Sequence, residues 1–366
     1  MNIVFCLLIL SIVIYLFIKE TSLFVRLIYI YHYIFFYFNY KLNLIAKQDS
    51  YIFFERAKES SDIIALLKPG NSFMSFLIYP LTSININFFT LSFLFSTISL
   101  IGFVIFFREL KFKSLQSIFF ASLLIIPSLH FWSSGLSKEA LVVFFMALIF
   151  SQMKKIKPVF IWLVISLVFL LFIRPYLSLI ILMSLLLTFY LFSKKTRLYK
   201  IKLALFSLVF FICSLPILKT FLKIETISIK AITNVFAKIN SYSLDHGNSS
   251  IPIETTNYLE RMNMVLFRPL FLDAKSSLVY YIISFENLFF LITTILFLYL
   301  LFRKKTYLNQ ISFFLLSTSL LIILFLSLYM YNLGLASRMK VMFIPYLALG
   351  IYLSQKKQFF YEKEAN

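Results

Sequence analysis

Long apolar runs alternate with short polar or basic connections along most of the chain. The runs expected to cross a bilayer as helices are 2–18, 88–107, 116–132, 138–152, 158–173, 176–193, 201–218, 279–302, 310–331 and 340–355. Many of them reach the roughly 17–25 apolar residues that a spanning helix needs. None shows the polar–apolar alternation of a barrel strand. The stretch 158–193 is too long for one helix, and Arg174-Pro175 divides it, because proline suits the first turn of a new helix. Residues 22–40 are apolar but carry Arg26, His32 and several tyrosines, so they form either a second span or a helix lying in the interface. A polar stretch follows at 41–70, with Asp49, Glu55, Arg56, Glu59 and Asp62. Residues 71–84 contain Pro80 and are too short to span, which suits a re-entrant or interfacial piece. The expected fold is an all-α, polytopic transmembrane helix bundle of ten to twelve spans. Residues 1–366 form one integral membrane domain without an internal repeat, and 219–278 is one large extracytoplasmic loop within it.

Composition sharpens this reading. The chain is 61% hydrophobic and 14% charged, with a mean hydropathy of +0.91. Soluble domains average about 45–50% apolar and about 25% charged, so a soluble fold is excluded. The N-terminal run lacks a basic leader and an A-x-A cleavage site, and is expected to be a retained membrane helix. A net charge of +20 would suggest nucleic acid in a soluble protein. Here the basic residues cluster between apolar runs, so no nucleic-acid partner is expected and the lipid bilayer is the partner instead. The clusters are Arg108/Lys111/Lys113, Lys154/Lys155/Lys157, Lys194/Lys195/Arg197/Lys200/Lys202, Arg303/Lys304/Lys305 and Lys356/Lys357/Lys363. They fall at every second connection, and the positive-inside rule assigns them, with the C-terminus, to the cytoplasm. Ser133–Ser137, the Arg174 turn, 219–278 and Asn332–Met339 then face outward. The side of 41–87 stays open: its basic residues favour the cytoplasm, and the weakness of 71–84 as a span favours the outside.

Candidate chemistry gathers on the outward connections. Pro127–Ala140 reads PSLHFWSSGLSKEA. As a helix-hairpin turn, Gly135 permits the bend, Ser137 caps the next helix, Glu139 suits its first turn and Trp132 anchors at the interface. The same turn places Lys138 beside exposed helix N–H groups, a place to hold phosphate. Arg174 either snorkels to headgroups or faces a polar cavity where it binds phosphate bidentately. In the 219–278 loop the polar middle Ser241–Thr256 is expected to be mobile, and Phe267-Arg268-Pro269-Leu270 with Asp273 and Lys275 returns to the membrane. Glu286 lies inside the next span, as a brace for a basic residue or as a functional carboxylate. In NLGLASRMKVMFIP, Asn332 and Gly334 make a turn, and Arg338 and Lys340 open the last span as headgroup anchors or site residues. Lys138, Arg174, Arg268 and Arg338 thus stand at one membrane boundary. Fixed cations at one depth suit a diphosphate whose charge grows as it leaves. The two cysteines sit in apolar runs, the three histidines lack ligand spacing, and no H-E-x-x-H, P-loop or G-x-S-x-G motif occurs. No metal or cofactor is expected.

PSLHFWSSGLSKEAL (Pro127–Leu141), RPYL (Arg174–Leu177), FRPLFLDA (Phe267–Ala274) with Glu286-Asn287, and NLGLASRMKVMFIP (Asn332–Pro345) together resemble bacterial O-antigen and exopolysaccharide polymerases over roughly residues 85–355. The resemblance implies a glycosyltransferase-type membrane enzyme of cell-envelope polysaccharide biosynthesis. A glycan on undecaprenyl diphosphate is transferred to a hydroxyl of a new lipid-linked repeat unit at the outer face of the inner membrane. Lys138, Arg174, Arg268 and Arg338 then bind the leaving diphosphate, and Glu139 or Glu286 accepts the hydroxyl proton. Trp132, Gly135 and Asp273 support the site. Two alternatives stay open. One is a C-type glycosyltransferase using a polyprenyl-phosphate sugar donor, with Asp49 as its acidic residue. The other is a transporter or flippase of lipid-linked sugars, which requires a polar path through the membrane.

Overall fold

The computed structural model describes residues 1–110, 115–155, 159–192, 197–226, 228–245, 249–273, 278–303 and 305–355. Over this part the chain is 82% helix with no strands. The helices are α1 Asn2–Lys19, α2 Leu23–Ala46, α3 Asp49–Glu59, α4 Ile63–Leu66, α5 Asn71–Ser83, α6 Phe88–Phe107, α7 Leu115–Ala121, α8 Pro127–Ser133, α9 Lys138–Met153, α10 Phe160–Ile173, α11 Pro175–Phe192, α12 Arg197–Leu222, α13 Ile229–Asp245, α14 Tyr258–Phe267, α15 Leu278–Phe302, α16 Gln310–Ser327, α17 Leu333–Met339 and α18 Ile344–Ser354. Short 3-10 turns occupy Ser122–Ile125, Phe271–Asp273 and Lys340–Met342. Lys275, Ala274, His246 and the basic residues Lys111, Lys113, Lys157, Lys194, Lys195, Lys304, Lys356, Lys357 and Lys363 lie outside the described residues.

Local chemistry explains many of the helix starts. Ser22, Asn87, Ser137, Asn257, Asn309 and Asn332 each accept the backbone N–H three residues on, satisfying a donor that the first turn leaves open. The division at Arg174-Pro175 falls where the sequence puts it: α10 ends at Ile173 and α11 begins at Pro175.

Among the described residues, six helices are long and apolar enough to cross a membrane: Asn2–Lys19, Phe88–Phe107, Pro175–Phe192, Lys200–Leu222, Leu278–Phe302 and Gln310–Ser327. A seventh crossing arises if Leu333–Met342 and Ile344–Ser354, bent by 49°, act as one span. The apolar windows of Asn2–Lys19 and Lys200–Leu222 are only 11% buried. Side chains such as Leu7, Leu8, Leu205 and Val209 are exposed, and such a surface requires lipid. The chain is therefore a multi-pass helical membrane protein. Several runs that hydropathy counts as spans are short. At 16 and 14 residues, α9 and α10 extend about 24 and 21 Å, less than the ~30 Å hydrocarbon core. The run 116–132 is divided into α7, a 3-10 turn and α8, with Pro127 opening the last piece.

The segment 219–278, expected as one loop, is helical over much of its length in α13 and α14. Within its polar middle, residues 249–251 hydrogen-bond to residues 331–333. The Ile251 N–H donates to Tyr331 O at 2.7 Å, the Leu333 N–H donates to Ser249 O at 3.1 Å, and Asn332 Nδ2 donates to Ser249 Oγ at 3.0 Å.

The chain divides into two compact units. The first comprises Met1–Leu110, Leu129–Leu179 and Phe211–Lys223. Its centre is α6, packed against α1, α2 and α9, and α9 packs in turn on α10. A Cβ at Gly102 would lie 3.0 Å from Phe144 Cα, so the glycine lets the α6 and α9 backbones approach closely. The second unit comprises Lys111–Ser128, Ile180–Phe210 and Ile224–Asn366. There α16 packs on α18 and α14, and α14 also meets α15 and α17.

Candidate functional site

In the first unit the Pro127–Ala140 stretch is less of a turn than its polarity implies. Helix α8 takes Pro127–Ser133, and only Ser134–Ser137 remain between α8 and α9. Ser133, Ser134, Ser137 and Glu139 are buried. Ser137 Oγ accepts the Ala140 N–H at 3.1 Å and donates to Trp132 O at 3.0 Å, which fastens the start of α9 to the end of α8. Trp132 packs edge-on against Phe131. Gly135 is not one of the positive-φ residues, so a bend is not what requires it. Its missing side chain makes room for Asn39, whose Oδ1 would lie 2.3 Å from a Cβ. Asn39 Nδ2 donates to Phe131 O at 2.9 Å, and Asn43 Nδ2 donates to Asn39 O at 2.9 Å and to Asn39 Oδ1 at 3.0 Å. Gly135→Ala is expected to displace Asn39 and lower stability by about 1–3 kcal/mol, read from thermal unfolding in detergent. In an Asn39→Ala background the same substitution should cost far less, because the clashing group is gone.

Glu139 in the first turn of α9 meets Arg174, the residue that ends α10. Arg174 Nη2 lies 2.5 Å from Glu139 Oε1, with side-chain exposures of 8% and 1%. Arg174 Nη1 donates to Tyr176 Oη at 3.0 Å. This is a buried ion pair, so Arg174 is directed into the unit and not towards lipid headgroups. Lys138 points away from this pair: its Nζ donates to Asn71 Oδ1 at 2.6 Å, at the start of α5. Asp49 is the first residue of α3, and an open cleft of about 590 Å³ runs beside that helix, lined by Lys47, Tyr51, Glu55, Arg56 and Glu59 among others.

Two of the three histidines, which have no ligand spacing in sequence, also meet in this unit. His32 Nδ1 and His130 Nδ1 are 3.0 Å apart, and both residues are fully buried. His32 Nε2 lies 3.2 Å from Ser96 O and 2.9 Å from Ser99 Oγ. A carbonyl can only accept, so His32 carries its proton on Nε2 and its Nδ1 accepts from His130. Among the described residues no group of three or more His, Cys, Asp or Glu side chains is placed to hold a metal ion.

The second unit holds the other candidates. Glu286 lies in the third turn of α15 and is 9% exposed. Its Oε1 accepts the Ser128 N–H at 3.0 Å. Its Oε2 is buried with no hydrogen-bond partner among the described residues. The next residue, Asn287, joins two other elements: its Nδ2 donates to Pro269 O at 2.6 Å, and its Oδ1 accepts from Lys340 Nζ. Lys340 is 2% exposed and also donates to Arg268 O at 3.4 Å. Arg268 forms a fork to Asp273, with Nε 3.0 Å from Oδ2 and Nη2 against Oδ1, and Asp273 Oδ2 accepts the Leu270 N–H at 2.8 Å. The hydrogen bonds to Asp273 raise the Arg268 pKa above its ordinary value, so the guanidinium stays charged. Arg338 is half-buried in the last turn of α17.

Of the expected site residues, the fold joins Glu139 with Arg174 in one unit and Arg268 with Asp273 in the other. Lys138 and Arg174 belong to the first unit, and Arg268, Arg338 and Glu286 to the second. Lys340 is the residue whose place in the cluster sequence reasoning missed. At the head of an apolar run it looks like a headgroup anchor, yet it is buried against the residue that follows Glu286. Comparison of the chain with protein-family models, with curated proteins and with solved structures gives no match.

Proposed function

We propose that the protein polymerises or transfers polyprenyl-diphosphate-linked glycan repeat units at the outer face of a bacterial inner membrane. The observation that carries this reading is Glu286: a carboxylate inside a helix long enough to span, with one buried oxygen unpartnered among the described residues and the Arg268–Asp273 fork in the same unit. A carboxylate held in this way is costly in a bilayer, and its retention there marks it as a functional candidate. The acceptor hydroxyl oxygen attacks the anomeric carbon of the donor glycan. The bond from that carbon to the diphosphate breaks, and the electron pair leaves on the diphosphate. The hydroxyl proton passes to Glu286 Oε2 as general base. Arg268 and Arg338 meet the growing charge on the diphosphate; for Lys138 and Arg174, in the other unit, a diphosphate-binding role is proposed separately. Glu139 is engaged by Arg174, which favours Glu286 as the base. The resemblance to O-antigen polymerases, ten to twelve crossings, an outward 219–278 segment and a cytoplasmic C-terminus belong to this reading.

The test uses full-length protein in proteoliposomes, supplied with lipid-linked repeat units extracted from the cells that make them. A ladder of lengthening glycans is expected, with one undecaprenyl diphosphate released per transfer. Glu286→Gln should slow the reaction by about 10²–10⁴-fold. Repeat units that stay single, with no diphosphate released, would defeat the proposal.

One observation favours a second reading, transport of the same lipid. The last apolar helix pair is bent by 49°, and the buried Lys340 stands near the bend. Broken helices of this kind line transporter sites. Movement of the lipid-linked unit across the bilayer without diphosphate release would select this reading.

A further inference from the structure

We propose that the cleft beside α3 binds the headgroup of a zwitterionic phospholipid with a primary ammonium, Lys47 and Arg56 holding its phosphate and Glu55 and Glu59 its ammonium. The cleft lies wholly within the first unit, and its ligand does not depend on the polymerase reading.

One face of α3 forms the wall of the cleft. Its other face carries the buried Phe53 and Ala57, and Ser75 Oγ of α5 donates to Phe53 O at 3.1 Å, which fastens the wall to the unit. Tyr51, Glu55 and Glu59 follow one another at i,i+4 spacing along the cleft, with Ile52 and Arg56 in the next row. Lys47, at the joint of α2 and α3, sets its Nζ over the Tyr51 ring, 5.9 Å from the centroid. The charges in the cleft stay apart. Glu55 and Arg56 are half-buried, yet among the described residues the side chains of Glu55, Arg56 and Glu59 make no hydrogen bond and no ion pair. Arg56 and Glu59, at i,i+3, are spaced to pair and do not. Glu55 and Glu59, at i,i+4, repel one another, and a cation between them relieves the repulsion.

These unused groups define the ligand. Lys47 and Arg56 ask for an anionic acceptor, and Glu55 and Glu59 ask for a cationic donor, so the four charges sum to zero. A diphosphate would satisfy the cations and face both carboxylates. A phosphoethanolamine headgroup carries both charges: its ionised phosphate only accepts, and its ammonium only donates. A quaternary ammonium has no proton to donate. The cleft volume of about 590 Å³ falls within the range of small-ligand sites, about 300–1,000 Å³. The surroundings point to a lipid and not to a soluble phosphoamine. Ile45, Ile52, Ile64 and Leu67, in the same segments as the lining residues, are exposed. Apolar side chains exposed beside a charged face suit acyl chains at the membrane interface.

The test is native mass spectrometry of the full chain in detergent, titrated with phosphatidylethanolamine, phosphatidylglycerol or phosphatidylcholine of the same acyl chains. A partly exposed charge contact changes affinity by up to about fivefold. With two such contacts to the ammonium, phosphatidylethanolamine is expected to bind about tenfold more tightly than either of the others. Glu55→Gln with Glu59→Gln should erase that preference and strengthen phosphatidylglycerol binding, because the charges that repel an anion are gone. Arg56→Gln should weaken all three by about fivefold. Free phosphoethanolamine at the same concentration should leave the bound lipid in place. Equal binding of phosphatidylglycerol and phosphatidylethanolamine by the wild-type chain, an unchanged preference in the double variant, or displacement by free phosphoethanolamine would overturn the proposal. If the double variant does not fold, Glu59→Gln alone decides the matter: Glu59 is exposed, and its loss should lower the preference about threefold.

Discussion

Arg174→Ala is expected to lower stability by about 3–5 kcal/mol and to abolish glycan lengthening. The pair it breaks is almost solvent-free, with side-chain exposures of 8% for Arg174 and 1% for Glu139. Removing the guanidinium leaves the Glu139 carboxylate buried without its counter-charge, and the desolvation once offset by the pair is then uncompensated. The double variant Arg174→Met with Glu139→Gln separates the two roles. With both charges gone, stability should return close to wild type, because a buried pair and a neutral pair of similar shape are often nearly equal. Polymer should stay absent if Arg174 holds diphosphate. Thermal unfolding in detergent gives the first quantity and the glycan ladder the second. A stable double variant that makes chains of normal length would reduce Arg174 to a brace for α9 and α10.

Arg268→Ala should do the opposite, sparing the fold and stopping the reaction. Its pair with Asp273 is partly open to solvent, with side-chain exposures of 31% and 13%. Pairs of that kind contribute up to about 1 kcal/mol, and Asp273 keeps its bond from the Leu270 N–H. Loss of a fixed cation where charge develops slows transfer by a factor on the order of 10²–10³. Arg268→Lys should recover only part of this, because a lysine cannot reproduce the planar fork. The rate of undecaprenyl diphosphate release measures both variants. Wild-type turnover by Arg268→Ala would remove it from the diphosphate site.

The contrast between these arginines was not visible in the primary structure. Both immediately precede a proline at the end of an apolar or amphipathic run, and both are followed by a helical or 3-10 element. One is sealed inside a helix pair, and the other is half-open on a short turn. Gly135 makes the same point. Its place after Ser133-Ser134 suggests a bend, whereas its requirement comes from Asn39, on α2.

The amino-acid sequence by itself determined the class of protein, the all-helical content, the cap at Ser137, and the break at Arg174-Pro175. These follow from local physics: apolar length, a side-chain oxygen within reach of the first turn, and a ring that suits the first turn of a new helix. Tertiary structure alone decided which charges are sealed and which meet. Arg174 and Glu139 are 35 residues apart, Lys340 and Asn287 are 53 apart, and His32 and His130 are 98 apart. No periodicity encodes such pairs. They depend on how helices dock, and docking is set by close packing at positions such as Gly102 and Gly135, where the absence of a side chain is the signal. The helical content of 219–278 escaped for a related reason. Its amphipathic pieces are too polar to register as membrane helices, and Ser249–Ile251 hydrogen-bonds to residues 331–333, far along the chain.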